Sequence, residues 1–193
     1  MAGPGTTLVT ALWFLLPAYL ANMAPVFVGG GAPMDGGRVW RDGRRILGAG
    51  KTWRGFLLAP PVAALLYTGL EALARAGWLP FPPLAATPAW TFAFALALGY
   101  GALFGDAMES FFKRRLGKER GARWLGFDQL DFVLGAWILA ILVSTVVAPV
   151  YGGVWFVAAF TPVILLVQLL ATPALHLIVN WIGFKIGKKD VPW

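Results

Sequence analysis

Phe132–Phe184, FVLGAWILAILVSTVVAPVYGGVWFVAAFTPVILLVQLLATPALHLIVNWIGF, contains no aspartate, glutamate, lysine or arginine. A helix crosses a bilayer with about 20 apolar residues, so this run is too long for one span and long enough for two. Proline and glycine punctuate it at APVYGG, Ala148–Gly153, where the first of the two spans is expected to end. Working back from Phe132, three further apolar segments appear: Thr6–Val28, interrupted by Pro17 and Pro25; Trp53–Ala76; and a segment from about Pro88 through LALGYGALFGD. The expected fold is therefore an all-α integral membrane protein of about five transmembrane helices. Residues 1–193 read as one transmembrane domain, because the length leaves room for little else.

Composition agrees. Of the 193 residues, 59% are hydrophobic and 13% charged, which excludes an ordinary soluble domain. There is no cysteine, so disulfides, thiolate nucleophiles and Cys-based metal sites are excluded. The first apolar segment lacks an A-x-A cleavage site and is longer than a signal-peptide core, so it is expected to stay in the mature protein. No internal repeat favours an inverted-repeat transporter.

Charge is concentrated in two stretches, Asp35–Arg54 and Asp106–Asp131. They hold seven of the nine acidic and twelve of the sixteen basic residues. The turn WLPFPPLAATPAW, Trp78–Trp90, is uncharged. The positive-inside rule then places both charged loops and the C-terminus in the cytoplasm, with the N-terminus outside. The same rule accounts for the net charge of +7 better than a nucleic-acid partner does.

Within the second stretch, Asp106, Glu109 and Lys113 stand at i, i+3 and i+7 and share one face of a continuing helix. Asp128 and Asp131 lie three apart at the start of the fourth span. Asp128 could serve simply as a helix-terminal acid. Asp131 precedes Phe-Val-Leu, close to hydrocarbon, where an unpaired carboxylate is costly. Hard oxygen ligands placed this way, Asp106, Asp128 and Asp131, suit Mg²⁺.

In the first stretch, GAGKTWRG, Gly48–Gly55, lacks the G-x-x-x-x-G-K-S/T spacing of a P-loop and follows no strand. What it offers is a glycine-rich approach to an anion, with Lys51 at the start of a helix whose N-terminus favours phosphate. Gln168, His176 and Asn180 form a polar stripe in the last span, which reads as interhelical hydrogen bonding. With serine scarce and no Ser/His/Asp or H-E-x-x-H arrangement, covalent acyl chemistry is not expected.

Three blocks taken together resemble the membrane-bound, CTP-dependent cytidylyltransferases. Lys51-Thr52-Trp53-Arg54-Gly55 corresponds to that family's K-T-x-E-G, Gly105-Asp106 with Glu109-Ser110 and Lys113-Arg114 to G-D-x-x-E-S-x-x-K-R, and Asp128-Gln129-Leu130-Asp131 to D-R-x-D. The departures are Arg54 for the glutamate, Gln129 for the arginine, a three-residue spacing before Lys118-Glu119, and Trp124-Leu125-Gly126-Phe127 where G-H-G-G is usual. The short chain and the loop MDGGR with RRILGAGKTWRG look most like the branch acting on di-geranylgeranylglyceryl phosphate in ether-lipid synthesis, the CDP-archaeol synthases.

That resemblance implies transfer of CMP from CTP to a lipid phosphomonoester, giving CDP-lipid and pyrophosphate. It implies catalytic roles for Asp106, Asp128, Asp131 and Lys113, with the three aspartates holding Mg²⁺ and Glu109 joining the metal shell or orienting a lysine. Lys51, Thr52, Lys113 and Arg114 would bind the phosphates of CTP, and Arg38, Arg44 and Arg45 the lipid phosphate. Two other readings stand beside it: a CTP-dependent polyprenol or phytol kinase, and a small membrane transporter or scaffold. A CDP-alcohol phosphotransferase is disfavoured because its D-x2-D-G-x2-A-R pattern is absent.

Overall fold

The computed structural model describes residues 4–118, 124 and 127–185. Seven helices carry these residues: α1 (Pro4–Met23), α2 (Pro25–Val28), α3 (Trp53–Arg75), α4 (Pro88–Arg115), α5 (Phe127–Tyr151), α6 (Trp155–Ala159) and α7 (Pro162–Lys185). Apart from them the described residues hold two isolated β-bridges, Pro33 with Thr52 and Val39 with Arg45, both in the loop before α3. Gly5–Val28, Trp53–Arg75, Pro88–Arg115 and Phe127–Tyr151 are long and apolar enough to cross a membrane, and the apolar part of α7, Pro162–Ile178, is shorter. The all-helical membrane architecture read from the sequence is the one found. The break in the long uncharged run falls where proline and glycine placed it: the amides of Gly152 and Gly153 both donate to the Ala148 carbonyl, at 2.9 and 3.0 Å. The short helix α6 was not anticipated, since continuous apolarity carries no period to reveal it.

The boundaries have local causes. Thr52 caps α3, its Oγ1 accepting from the Gly55 amide at 3.2 Å, and Thr87 caps α4 with Pro88 in the first turn. At the other end of α4, Gly117 takes φ +74°. The Lys118 amide then reaches back to the Lys113 carbonyl at 2.9 Å, which is the geometry of a glycine-terminated helix.

α4 is central, packed against α5, α3 and α1, while α7 lies against α1 and α5. The core holds Leu15, Tyr67, Phe94, Leu98, Phe132 and Val133. Outward faces are equally apolar, with Leu65 and Leu66 on α3 and Ile138 and Leu142 on α5 exposed, as a lipid-facing surface requires. The expected polar stripe on α7 is structural at Gln168, which accepts from Trp137 Nε1 at 2.9 Å and donates to the Ala11 carbonyl at 2.7 Å, tying three helices together. Thr172 continues it, 2.6 Å from the Tyr19 hydroxyl. His176 is half-buried on the same helix. The Asn180 side chain and the tail beyond Lys185 lie outside the described residues.

The two ends of the bundle differ. At one, Glu71 is buried and accepts from Arg75, Thr91 Oγ1 (2.7 Å) and the Leu84 amide (2.8 Å), fastening the uncharged 78–87 turn. Trp155 Nε1 holds the Leu84 carbonyl and Trp13 Nε1 the Pro82 carbonyl. At the other end, the loop before α3, the close of α4 and the start of α5 converge.

Candidate active site

α4 stays helical through Arg115, so Asp106, Glu109 and Lys113 do share a face. That face meets the first turns of α5. Asp106, Glu109 and Asp131 each present a carboxylate oxygen within 4.8 Å of the others. Asp128, one turn before Asp131, engages a different partner: Lys113 Nζ lies 2.6 Å from its Oδ1 and 2.8 Å from Glu109 Oε1. The Trp124 amide also donates to Asp128, at 2.9 Å. Lys51 donates to Asp106 Oδ2 from the loop side. Among the described residues, four carboxylates thus face two ammonium groups. Glu109 Oε1 and Asp128 Oδ1 are buried, and Lys113 is their common counter-charge. Three hard oxygens this close fit a divalent cation.

Asp35 organises the loop before α3. It is buried, and Arg45 Nη2 and Nε donate to it at 2.6 and 3.3 Å. The amides of Gly37 (2.9 Å) and Leu47 (3.0 Å) donate as well. Burial alone would raise the Asp35 carboxyl; the Arg45 guanidinium and the two amides outweigh it and hold it below the ordinary carboxylate value. The loop then docks on the end of α4. Arg44 Nη1 donates to the carbonyls of Arg114 (3.3 Å) and Arg115 (3.2 Å), where cations suit the helix dipole. Arg115 reciprocates toward the Arg45 carbonyl at 2.5 Å and pairs with Asp42 at 3.1 Å. The buried Gly48 amide donates to Ser110 Oγ at 3.2 Å.

Two cavities flank the Gly48–Thr52 segment. One, of about 310 Å³, is lined by Lys51, Thr52 and Asp106 together with Pro25, Phe56 and Leu103, so a charged floor meets apolar walls from the spans. The other, of about 480 Å³, is lined by Arg44, Arg45, Arg114 and Lys118 and, among the described residues, by no acidic one.

The sequence-derived residues therefore fall into three groups. Asp106, Asp131, Lys113 and Lys51 come together, Glu109 joins Asp106 and Asp131 in the carboxylate trio, and Asp128 pairs with Lys113. Arg44, Arg45 and Arg114 share the basic cavity, although Arg44 and Arg45 had been grouped with Arg38 for the lipid phosphate and Arg114 with the nucleotide. Arg38 is exposed on the loop, and Thr52 is committed to capping α3. Asp35 lies in the MDGGR segment that the sequence singles out, but its role as the acceptor that organises the loop has no signal there.

Residues 6–193 match the family model of CarS-like CDP-archaeol synthases. A CDP-archaeol synthase of Halorubrum lacusprofundi is 42% identical over 193 residues, covering 98% of this chain and 99% of its own. Relatives of the same name from Methanosarcina mazei and Thermococcus gammatolerans are 45% and 40% identical, covering 93% and 99% of this chain. A solved structure, described as an intramembrane enzyme for archaeal membrane lipids biosynthesis, superposes with a TM-score of 0.67 at 39% identity over 88% of this chain and 92% of that one. These matches leave the kinase and the transporter readings without support. The chain is a multi-pass membrane enzyme and belongs to the CDP-archaeol synthase family.

Proposed function

We propose that this chain transfers the cytidylyl group of CTP to di-geranylgeranylglyceryl phosphate, forming CDP-archaeol and pyrophosphate, with its charged end in the cytoplasm. The observation that carries the site assignment is the juxtaposition of a carboxylate trio with two chemically different cavities. The basic cavity at Arg44, Arg45, Arg114 and Lys118 suits the more highly charged ligand, a nucleoside triphosphate. The cavity at Lys51 and Asp106, open to apolar walls, suits a phosphomonoester carried on hydrocarbon chains.

A lipid phosphate has a second pKa of about 6 and is largely dianionic at neutral pH, so it needs no general base. One of its oxygens attacks the α-phosphorus of CTP. The bond from that phosphorus to the bridging oxygen breaks, and the electron pair leaves with pyrophosphate. The chain's contribution is positioning and charge neutralisation. Lys51 steers the monoester oxygen from the side of Asp106, Lys113 holds Glu109 and Asp128 in place, and Arg114 faces the departing phosphates. A divalent cation, Mg²⁺ in this reading, would be held by Asp106, Glu109 and Asp131. What it supplies when bound is neutralisation of the phosphate oxygens.

The test is direct. Purified protein is given Mg²⁺, CTP labelled at the α-phosphorus, and either the geranylgeranylated glycerol phosphate or phosphatidate. Label entering the organic phase with release of pyrophosphate is the expected result, with the ether lipid preferred. Transfer from γ-labelled CTP with release of CDP, or equal use of both acceptors, would overturn the reaction or the lipid assignment respectively.

A further inference from the structure

α4 and α5 cross where neither has a side chain. A Cβ built on Gly105 would penetrate the carbonyl of Asp131 and lie 2.9 Å from its carbon and 3.1 Å from the Gly135 Cα. One on Gly101 would lie 2.7 Å from the Ala136 Cα, and one on Gly135 2.7 Å from both the nitrogen and the Cα of Gly105. These neighbours are backbone, which cannot swing aside as a flexible side chain can. Small residues spaced by four allow such approach between membrane helices generally. Here the crossing has a further property: Gly105 directly precedes Asp106, and the atom it abuts belongs to Asp131. Glu109 stands one turn beyond Gly105 on the same helix.

We infer that Gly101, Gly105 and Gly135 are positioning residues, whose bare backbone contact sets the separation of Asp106 and Glu109 from Asp131 and thereby fits the trio to a small divalent cation. The inference rests on reading the trio as the cation site. Mg²⁺ demands oxygens at about 2.0–2.1 Å, whereas Ca²⁺ accepts about 2.3–2.6 Å in looser geometry. A methyl inserted at the crossing moves α5 outward with Asp131, and the widened trio should lose the smaller ion first. Glu109 supplies one oxygen of the trio, and its Oε1 is buried 2.8 Å from Lys113 Nζ.

The experiment measures Mg²⁺ and Ca²⁺ binding to detergent-purified protein by calorimetry, with no nucleotide or lipid present. Gly105→Ala is expected to shift the affinity ratio toward Ca²⁺ by at least about tenfold, the scale on which supporting residues tune a metal site. Gly99→Ala, on another face of α4 where a Cβ meets Ala21 and Pro60 at 3.1 and 3.2 Å, perturbs packing without touching the crossing and should leave the ratio unchanged. If Gly105→Ala does not fold, as judged by helicity, Gly101→Ala opens the same crossing one turn from the carboxylates and is read in the same way. A wild-type ratio in either folded glycine variant overturns the inference, as does an equal shift in Gly99→Ala. If the unaltered protein binds neither ion, or Asp131→Asn binds Mg²⁺ as well as it does, the cation reading itself fails instead.

Discussion

Lys113 Nζ stands 2.6 Å from Asp128 Oδ1, joining the last turn of α4 to the first turn of α5 across the carboxylate cluster. The same ammonium holds Glu109, so one cation fixes two acids contributed by different helices. Its removal strands both oxygens in a partly desolvated site. Lys113→Met should lower kcat/KM by at least about 100-fold, the scale for losing one preorganised electrostatic group. Lys113→Arg should recover part of it. Near-normal kinetics in the methionine variant would remove Lys113 from the site.

Asp35 gives a pH dependence with a definite sign. Its folded pKa is depressed, so its contribution to stability is present above the unfolded value of about 3.9 and is lost as pH falls through the folded value. The amides of Gly37 and Leu47, which donate to it, should be protected from hydrogen exchange at pH 5 and lose protection below about pH 4. In Asp35→Asn that acid transition should vanish. Its persistence would mean that another carboxylate controls the loop.

At the opposite end of the bundle, Glu71 makes the converse case, a buried charge with no part in the chemistry. Glu71→Ala leaves the Arg75 guanidinium, the Leu84 amide and Thr91 without their acceptor. Breaking such a pair costs about 3–5 kcal/mol. At roughly 2–4 °C per kcal/mol for a chain of this size, thermal unfolding in detergent should fall by about 6–20 °C. Turnover measured well below the midpoint should be unchanged. A loss of kcat at low temperature would connect the uncharged end to the active site.

The spans were legible because hydrophobic length and breaking residues are local properties, and so was the shared face of Asp106, Glu109 and Lys113, which follows from the helical period alone. The trio was not. Whether Asp128 or Asp131 turns toward Asp106 depends on how α5 crosses α4, and that crossing is fixed by Gly101, Gly105 and Gly135 from two separate segments. The role of Asp35 was hidden for the same reason: its partners Arg45 and Leu47 lie ten and twelve positions away, and only the folded loop brings their donors to its carboxylate. The basic cavity joins arginines from that loop to the end of α4, which no spacing in the sequence encodes.

The orientation can be tested cleanly because the chain has no cysteine of its own. Arg41 is exposed on the charged loop and Trp78 on the uncharged turn, 80% accessible. A membrane-impermeant maleimide should label Trp78→Cys on intact cells, and Arg41→Cys only once the cytoplasmic face is opened. The reverse pattern would invert the topology and put the charged end outside.

The sharpest contrast lies between Asp128 and Asp131, which the sequence treated as a pair. Asp131 belongs with Asp106 and Glu109, whereas Asp128 is answered by Lys113 and by the Trp124 amide. Asp131→Asn keeps the shape and removes a hard anionic ligand, so it should abolish turnover and weaken Mg²⁺ binding by at least about tenfold while helicity and extraction stay normal. Asp128→Asn leaves one acceptor oxygen where the carboxylate uses two, so it serves the Trp124 amide or Lys113 but not both, and the trio retains all three ligands. It should bind Mg²⁺ nearly as the unaltered protein does, with activity reduced through the weakened hold on Lys113. Calorimetry and kinetics on the two variants separate the roles. Equal loss of Mg²⁺ binding in both would make Asp128 a ligand as well, and would require its carboxylate to leave Lys113 when the cation arrives.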